Sequence, residues 1–423
     1  MTINIDLLIH SANQICTIPD NGRPQRGHDL GQLGIITDGA IAINDGHILA
    51  IGPSADLQAQ YTPANTLDAT NHCLLPGFVD PHTHIPWAGD RAAEFEMRVG
   101  GATYMDIMAA GGGIMSTVLQ TRLANVTDLV RDNLPRLRRM LQHGTTSAET
   151  KTGYGLDLPT EIKQLDAIVA LNNAQPIDLT PTFLPAHAVP AEYKNDPDAF
   201  VTYVIDEILP AGAEWMKQHH LTLFCDVFCE AGVFDVNQTR RILERGRDLG
   251  YELKLHADEF EGLGGTALAA SLGATSADHL VKTPDEDIIA LGLSETIAVG
   301  LPGTPFGLGH HEYTPAQKIL DAGGALALAT DCNPGTCWCE SQQMVIALAC
   351  RYMGLTPAQA LVATTLNAAY AIRRGDQIGS LTPGKQADII MLTPPDYRHL
   401  GYRFGTNLVH TVIKQGEIVA QNL

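Results

Sequence analysis

His82 and His84 stand two residues apart, and alternate residues of a β-strand point to the same face. Two imidazoles on one face can chelate one ion. A third His and a carboxylate from other strands would complete a set of three nitrogens and one oxygen, which suits zinc or iron. A lone His-x-His is also an ordinary surface or core pair, so its neighbours in space decide. Candidates recur where candidate strands stop: Asp80-Pro-His82-Thr-His84, His187, His256-Ala-Asp258-Glu259, Asp278-His279, and Asp331-Cys-Asn333-Pro-Gly335-Thr336. Arg91 and Tyr154 follow the first two strands; a guanidinium is a fork for a carboxylate, and a phenol adds a hydroxyl. Taken alone, both are equally ordinary loop residues. Lys151 and Lys254 lie within strands. Lys254 shares the parity of His256, so it is expected to point inward and pair with Glu149 or Asp226. The Gly111–Gly113 run is expected to be a flexible loop, with no P-loop Lys after it to hold a phosphate.

Such strand ends need a scaffold that gathers them. Candidate strands cover 75–82, 145–151, 179–187, 222–230, 252–256, 274–279, 296–301 and 325–331, with helical stretches between most of them, such as 123–143, 160–172 and 237–249. Eight strands alternating with helices predict an α/β fold, a (β/α)8 TIM barrel, whose chemistry sits at the carboxyl ends of its strands. A doubly wound open sheet competes, but no G-x-G-x-x-G follows the first strand. Both chain ends read as short strands: 5–9, 14–18, 40–43 and 48–51, then 387–392, 409–414 and 418–419. Neither end has enough for a sheet of its own. Residues 1–74 and 380–423 are therefore expected to form one composite β-sandwich domain, with 75–379 as the barrel.

The net charge of −20 comes without any run of Lys and Arg. Nucleic acid and anionic membrane are poor partners for that surface. An acidic small molecule is not excluded, since one buried Arg can bind a carboxylate locally. No apolar run approaches the ~18 residues of a membrane helix, and residues 1–19 lack the basic start of a secretory signal. Cys337-Trp-Cys339 and Cys225-x3-Cys229 can be read as metal pairs. The expectation is reduced core thiols in a cytoplasmic protein.

Leu75-Pro-Gly-Phe-Val-Asp-Pro-His-Thr-His84, with His256, His279 and Asp331 at later strand ends and Gly384-Lys-Gln-Ala-Asp-Ile-Ile-Met391 near the C-terminus, resembles the amidohydrolase superfamily. Within it the chain is similar to the imidazolonepropionase family. The motifs that narrow it are Glu149-Thr-Lys-Thr-Gly-Tyr-Gly155, Phe183-Leu-Pro-Ala-His187, His256-Ala-Asp-Glu259 and Thr330-Asp-Cys-Asn-Pro-Gly-Thr336. The resemblance implies a ring-opening hydrolase of histidine degradation, which turns 4-imidazolone-5-propanoate into N-formimidoyl-L-glutamate with a metal-activated water. It implies metal ligands at His82, His84, His256 and Asp331. Substrate contacts carry over to Arg91, Tyr154, His187, Glu259, Asn333, Gly335 and Thr336. Asp331 and Glu259 are the candidate proton shuttles, and His279 the candidate oxyanion donor. Many superfamily members bridge two metals with a Lys on the fourth strand; 222–230 contains none, which fits one zinc or iron ion per subunit. A homodimer is expected from the family. The alternative is another single-metal amidohydrolase, such as a heterocycle deaminase, which gives no reason for Arg91 and Tyr154.

Overall fold

Two eight-stranded sheets divide the chain. A computed structural model describes residues 2–103, 106 and 110–422. The N-terminal part supplies β1 (Ile3–Cys16), β2 (Ile35–Asn44), β3 (His47–Pro53), β4 (Tyr61–Asp68) and β5 (Cys73–Pro76). The middle supplies β6 (Phe78–Asp80), β7 (Thr145–Lys151), β8 (Asp178–Ala186), β9 (Phe224–Cys229), β10 (Glu252–Ala257), β11 (Ser276–His279), β12 (Ile297–Gly300) and β13 (Ala325–Leu328). The C-terminal part adds β14 (Ile389–Leu392), β15 (Val409–Lys414) and β16 (Glu417–Gln421).

Strands β6 to β13 pair in chain order and in parallel, as a TIM barrel requires. The barrel closes beyond the last strand, where Thr83 bridges Cys332 in parallel and the His84 N–H donates to the Cys332 carbonyl at 3.0 Å. The outer helices form where apolar spacing and caps agree. Val126–Gln142 starts at a capping box of Asn125 and Asp128 and buries Leu129, Leu137, Met140 and Leu141. Asp157 caps Leu158–Ala174, and Asp235 with Gln238 caps Val236–Asp248.

The other sheet interleaves both chain ends, in the order β16-β15-β14-β5-β1-β2-β3, with β4 also on β1. The strands expected at 5–9 and 14–18 are one strand, β1. Its register shifts between Ile9 and Ala12, where Ser11 has φ 61°. The first half of β1 then pairs with β4 and the second half with β5. The strand expected over 75–82 is conversely two: β5 belongs to the terminal sheet and β6 to the barrel. Gly77 lies between them, and a Cβ there would meet Thr146 Oγ1 at 2.2 Å. The sheets are tied by ion pairs: Lys414 Nζ reaches Asp388 Oδ2 at 2.6 Å and Asp178 Oδ2, at the start of β8, at 2.7 Å.

Candidate active site

At the mouth of the barrel, the extended stretch after β6 presents His82 and His84 to the same side, and β10 and the segment after β13 present His256 and Asp331. His84 Nε2 lies 3.3 Å from His82 Nε2, 3.4 Å from His256 Nε2 and 3.3 Å from Asp331 Oδ1; His82 Nε2 lies 3.5 Å from Asp331 Oδ1. A tetrahedral ion ~2.0–2.1 Å from each donor needs edges of about 3.3–3.4 Å. Asp331 Oδ1 is buried with no hydrogen-bond partner. Burial, first, and neighbouring cationic charge hold His82 and His84 well below the ordinary imidazole range, so their lone pairs are free. His82, His84 and His256 thus form a group able to hold a metal ion, and His82, His279 and Asp331 form a second, overlapping one. The donor set fits the metal site expected of an amidohydrolase.

Three of the four donors are backed by a second residue, while His84 Nδ1 is buried with no hydrogen-bond partner. His82 Nδ1 lies 2.6 Å from Asp278 Oδ2; the carboxylate can only accept, so the proton sits on Nδ1 and Nε2 faces the cluster. His256 Nδ1 makes a bent contact with Asp226 Oδ2 at 3.0 Å, while the His256 backbone N–H donates to Asp226 Oδ1 at 3.2 Å. Thr304 donates its hydroxyl to Asp331 Oδ2, which leaves Oδ1 turned to the histidines.

A cavity of about 270 Å³ opens on this cluster, and Arg91, Tyr154, His187, Glu259, His279, Asn333, Gly335 and Thr336 all line it. His187 donates from Nδ1 to the Gly153 carbonyl at 3.0 Å and stacks on His84 with the rings 4.9 Å apart. Tyr154 is held by its loop: Glu161 accepts from the N–H groups of Gly153, Gly155 and Leu156 at 3.1, 2.8 and 2.9 Å. Glu259 is placed in the same manner, since Glu230 accepts from Phe260 and Glu261 at 2.9 and 3.1 Å. Burial, with Asp331 and Glu230 nearby, pushes the Glu259 carboxyl well above its usual range. His279 moves the opposite way, to about 3, again chiefly through burial. Its Nε2 is 3.7 Å from Glu259 Oε2.

Two expected contacts look different in three dimensions. The Arg91 fork is partly taken: Nε donates to Glu94 Oε2 at 2.8 Å and Nη2 pairs with Glu94 Oε1. Nη1 lies over Gly335, where a Cβ would meet it at 2.3 Å. Asn333 spends its side chain on its own loop, accepting from the Gly335 and Thr336 N–H groups at 2.8 Å each and donating to the Asp331 carbonyl at 2.8 Å.

Residues 242–419 match the Amidohydrolase family, and residues 39–64 match the Imidazolonepropionase-like composite domain of bacteria. An imidazolonepropionase of Herpetosiphon aurantiacus is 54% identical over 420 residues, covering 99% of this chain and 98% of that one. One of Chloroflexus aggregans is 49% identical, covering 99% of each. The chain belongs to the imidazolonepropionase family. It is a hydrolase acting on carbon–nitrogen bonds. The fold is shared more widely: guanine deaminase of E. coli superposes with TM-score 0.72 at 15% identity over 98% of this chain and 99% of that one. An adenosine deaminase from Xanthomonas campestris with bound zinc gives 0.69 at 19% identity, over 99% and 93%.

For this family member, the sequence named the residues facing the cavity and, behind them, Asp226 and Asp278, but not Thr304, Glu161, Glu230 or Glu94. Thr304 sits in the short helix after β12, a strand whose end carried no chemistry of its own. Glu161 and Glu230 bind backbone N–H groups, a role any acidic residue in a loop-rich region could have. Glu94 was legible in principle, three residues past Arg91 on a helix. Of the two inward lysines, Lys254 takes Glu149 at 3.3 Å, while Asp226 goes to Lys151 at 2.8 Å. Gly113, in the glycine run, gives its N–H to Glu94 Oε2 at 2.8 Å and precedes the helix Ile114–Leu123.

Proposed function

We propose that the chain opens the ring of 4-imidazolone-5-propanoate with water, giving N-formimidoyl-L-glutamate in histidine degradation. One observation carries the reading: a single small cavity is lined by His84, His256 and Asp331 of the donor cluster and by Arg91, whose guanidinium suits a carboxylate. His82, His84, His256 and Asp331 would hold one zinc or iron ion per subunit; both metals suit three imidazoles and a carboxylate. The ion supplies Lewis acidity and a nucleophile at neutral pH.

The protein's own groups do the rest. Arg91 and Tyr154 take the propionate carboxylate, and Gly335 and Thr336 line the path to it. His187, fixed through Nδ1, turns Nε2 to the ring. Asp331 accepts the proton of the attacking water. The water oxygen joins the ring carbonyl carbon while His279 donates an N–H to the growing negative charge on the carbonyl oxygen. The carbon–nitrogen bond then breaks, and its electron pair stays on nitrogen. Glu259, kept in its acid form by burial, protonates that nitrogen as it leaves. The product keeps both nitrogens, so no ammonia forms.

The test is to incubate purified, metal-analysed protein with fresh imidazolonepropionate. Ring loss with formimidoylglutamate and no ammonia is expected; ammonia release from an intact ring would make the chain a deaminase instead. The same reading gives a cytoplasmic homodimer, with scattering mass twice the 45.4 kDa chain, and no nucleic acid or membrane partner. The net charge of −20 supports this, and no helix among the described residues is long and apolar enough to cross a membrane. Residues 1–76 with 380–423 form one folding unit and 77–379 the other, the expected boundary at 74 moving to the end of β5, which pairs with β14 through Pro76. Removing 388–423 takes away β14 to β16 and is expected to give insoluble protein; a soluble, active truncation would overturn that division.

A further inference from the structure

Below the histidines the barrel is filled by ionisable side chains with no access to solvent: Glu149, Lys151, Asp226, Lys254 and Asp278. Lys151 Nζ lies 2.7 Å from Glu149 Oε1, 2.8 Å from Asp226 Oδ2 and 3.8 Å from Asp278 Oδ2. The last two oxygens are the ones that face His256 Nδ1, at 3.0 Å, and His82 Nδ1, at 2.6 Å. One ammonium group therefore stands behind two histidines on different strands, with a single carboxylate between it and each ring. Lys254 is equally buried but placed otherwise: it donates to the Pro81 carbonyl at 2.8 Å and approaches Glu149, and its charge acts on Asp278 without an ion pair to Asp278 or to Asp226, the carboxylate behind His256.

We propose that Lys151 is a positioning residue for the metal site, holding Asp226 and Asp278 so that both imidazoles keep Nε2 turned to the ion. This rests on His82, His84 and His256 being ligands. An imidazole can rotate or exchange tautomers, and only a fixed acceptor at Nδ1 forbids both. Asp226, on β9, and Asp278, on β11, flank β10 and carry like charge with no exposure to solvent. Without a cation between them they repel, and the acceptors behind the two rings drift apart.

The experiment compares Lys151→Met with Lys254→Met. Apo proteins are titrated with zinc against a chelating dye, and the visible spectrum of the cobalt-loaded forms is recorded. Lost outer-shell partners typically cost ~10–100-fold in metal affinity. Lys151→Met is expected to bind zinc about that much more weakly and to change the cobalt bands; Lys254→Met is expected to keep parental affinity and bands while melting lower. If Lys151→Met does not fold, Lys151→Met/Glu149→Gln removes one charge of each sign and carries the same expectation. Parental affinity and bands in the folded Lys151 variant, or an equal loss in Lys254→Met, overturn the proposal. A parent protein that binds no stoichiometric ion overturns the ligand reading beneath it instead.

Discussion

Two buried lysines in this molecule bridge carboxylates from distant segments, and they sit at opposite ends of its chemistry. Lys414 holds the seam between the sheets: Asp388 and Asp178 flank it, Arg374 adds a second cation to Asp178 at 2.9 Å, and the Gln415 N–H donates to Asp388 Oδ1 at 3.0 Å. Every partner there is used up locally. Lys151 begins a chain that does not close. Its carboxylates lead to His82 and His256; His82 Nε2 faces Asp331 Oδ1 at 3.5 Å, and that oxygen has no hydrogen-bond partner. Buried polar groups are nearly always satisfied within a fold, so an orphan at the end of an ordered chain marks a place kept for a ligand. The seam should answer to mutation in stability, and the mouth in metal content and turnover.

The largest effect that separates them is His256→Ala. It removes one of the four converging donors, and bound metal and activity are expected to vanish together while the protein stays folded. Full metal occupancy by mass spectrometry would take His256 out of the ligand set. Next come the groups that face the reaction. Glu259→Gln loses a general acid, typically worth ~10²–10⁴, and His279→Ala an oxyanion donor, typically worth ~10²–10³. Both are expected to keep about one ion per chain while single-turnover rates fall at least ~10². His279 is the sharper case, because with His82 and Asp331 it forms a second group able to hold an ion. Metal lost in step with activity would move it into the ligand set.

The contrast also explains what could be read in advance. Alternation put His82 and His84 on one face, and it held past the end of β6 because the Thr83–Cys332 bridge keeps that stretch extended. Strand counting found the barrel and the segments that bring His256, His279 and Asp331 to its mouth. Alternation fails at or just beyond a strand end: Asp258, His279 and Asp331 all have φ between 53° and 79°, so the aim of their side chains is set by tertiary contacts. The same limit hid the supports. Nothing in the spacing of Asp226 and Asp278 says that each serves both a lysine and a histidine, since those pairings cross between strands up to 196 positions apart. The seam was legible only as a need for partners. Which end strand pairs with which depends on β4, a strand with Pro63 and few apolar residues, and on a bulge in β1.

A smaller effect is expected at the far end of the cavity. Arg91→Lys keeps the charge but cannot satisfy Glu94 and a substrate carboxylate together. A hydrogen bond to a charged group is worth ~1.5–3 kcal/mol, so kcat/KM should fall roughly 10–100-fold, mainly through KM. Metal content should not move. Unchanged kcat/KM at subsaturating substrate, in this variant and in Arg91→Ala, would place the carboxylate elsewhere.

The least effect on turnover is expected at Lys414, and it is the direct test of the contrast. The side chain is 6% exposed and faces two carboxylates. Removing one partner of a buried pair costs about 3–5 kcal/mol, and less where a partner is partly open to water, as Asp178 is at 29%. Lys414→Met is therefore expected to lower the melting midpoint by several degrees with kcat, KM and zinc affinity unchanged. Acid should mimic it through Asp178 alone, because burial raises the Asp388 carboxyl, whose protonation favours the folded state as pH falls. Burial works against the Asp178 charge, but Lys414 and Arg374 outweigh it and hold the carboxyl below its usual value. A depressed folded-state pKa contributes stability above the unfolded value of ~3.9 and loses it as pH falls through the folded one. The parent should therefore lose part of its stability below about pH 4, and Lys414→Met should lose less of it there, having less to lose. A Lys414 variant that melts like the parent but binds zinc weakly would show the seam and the mouth to be one network.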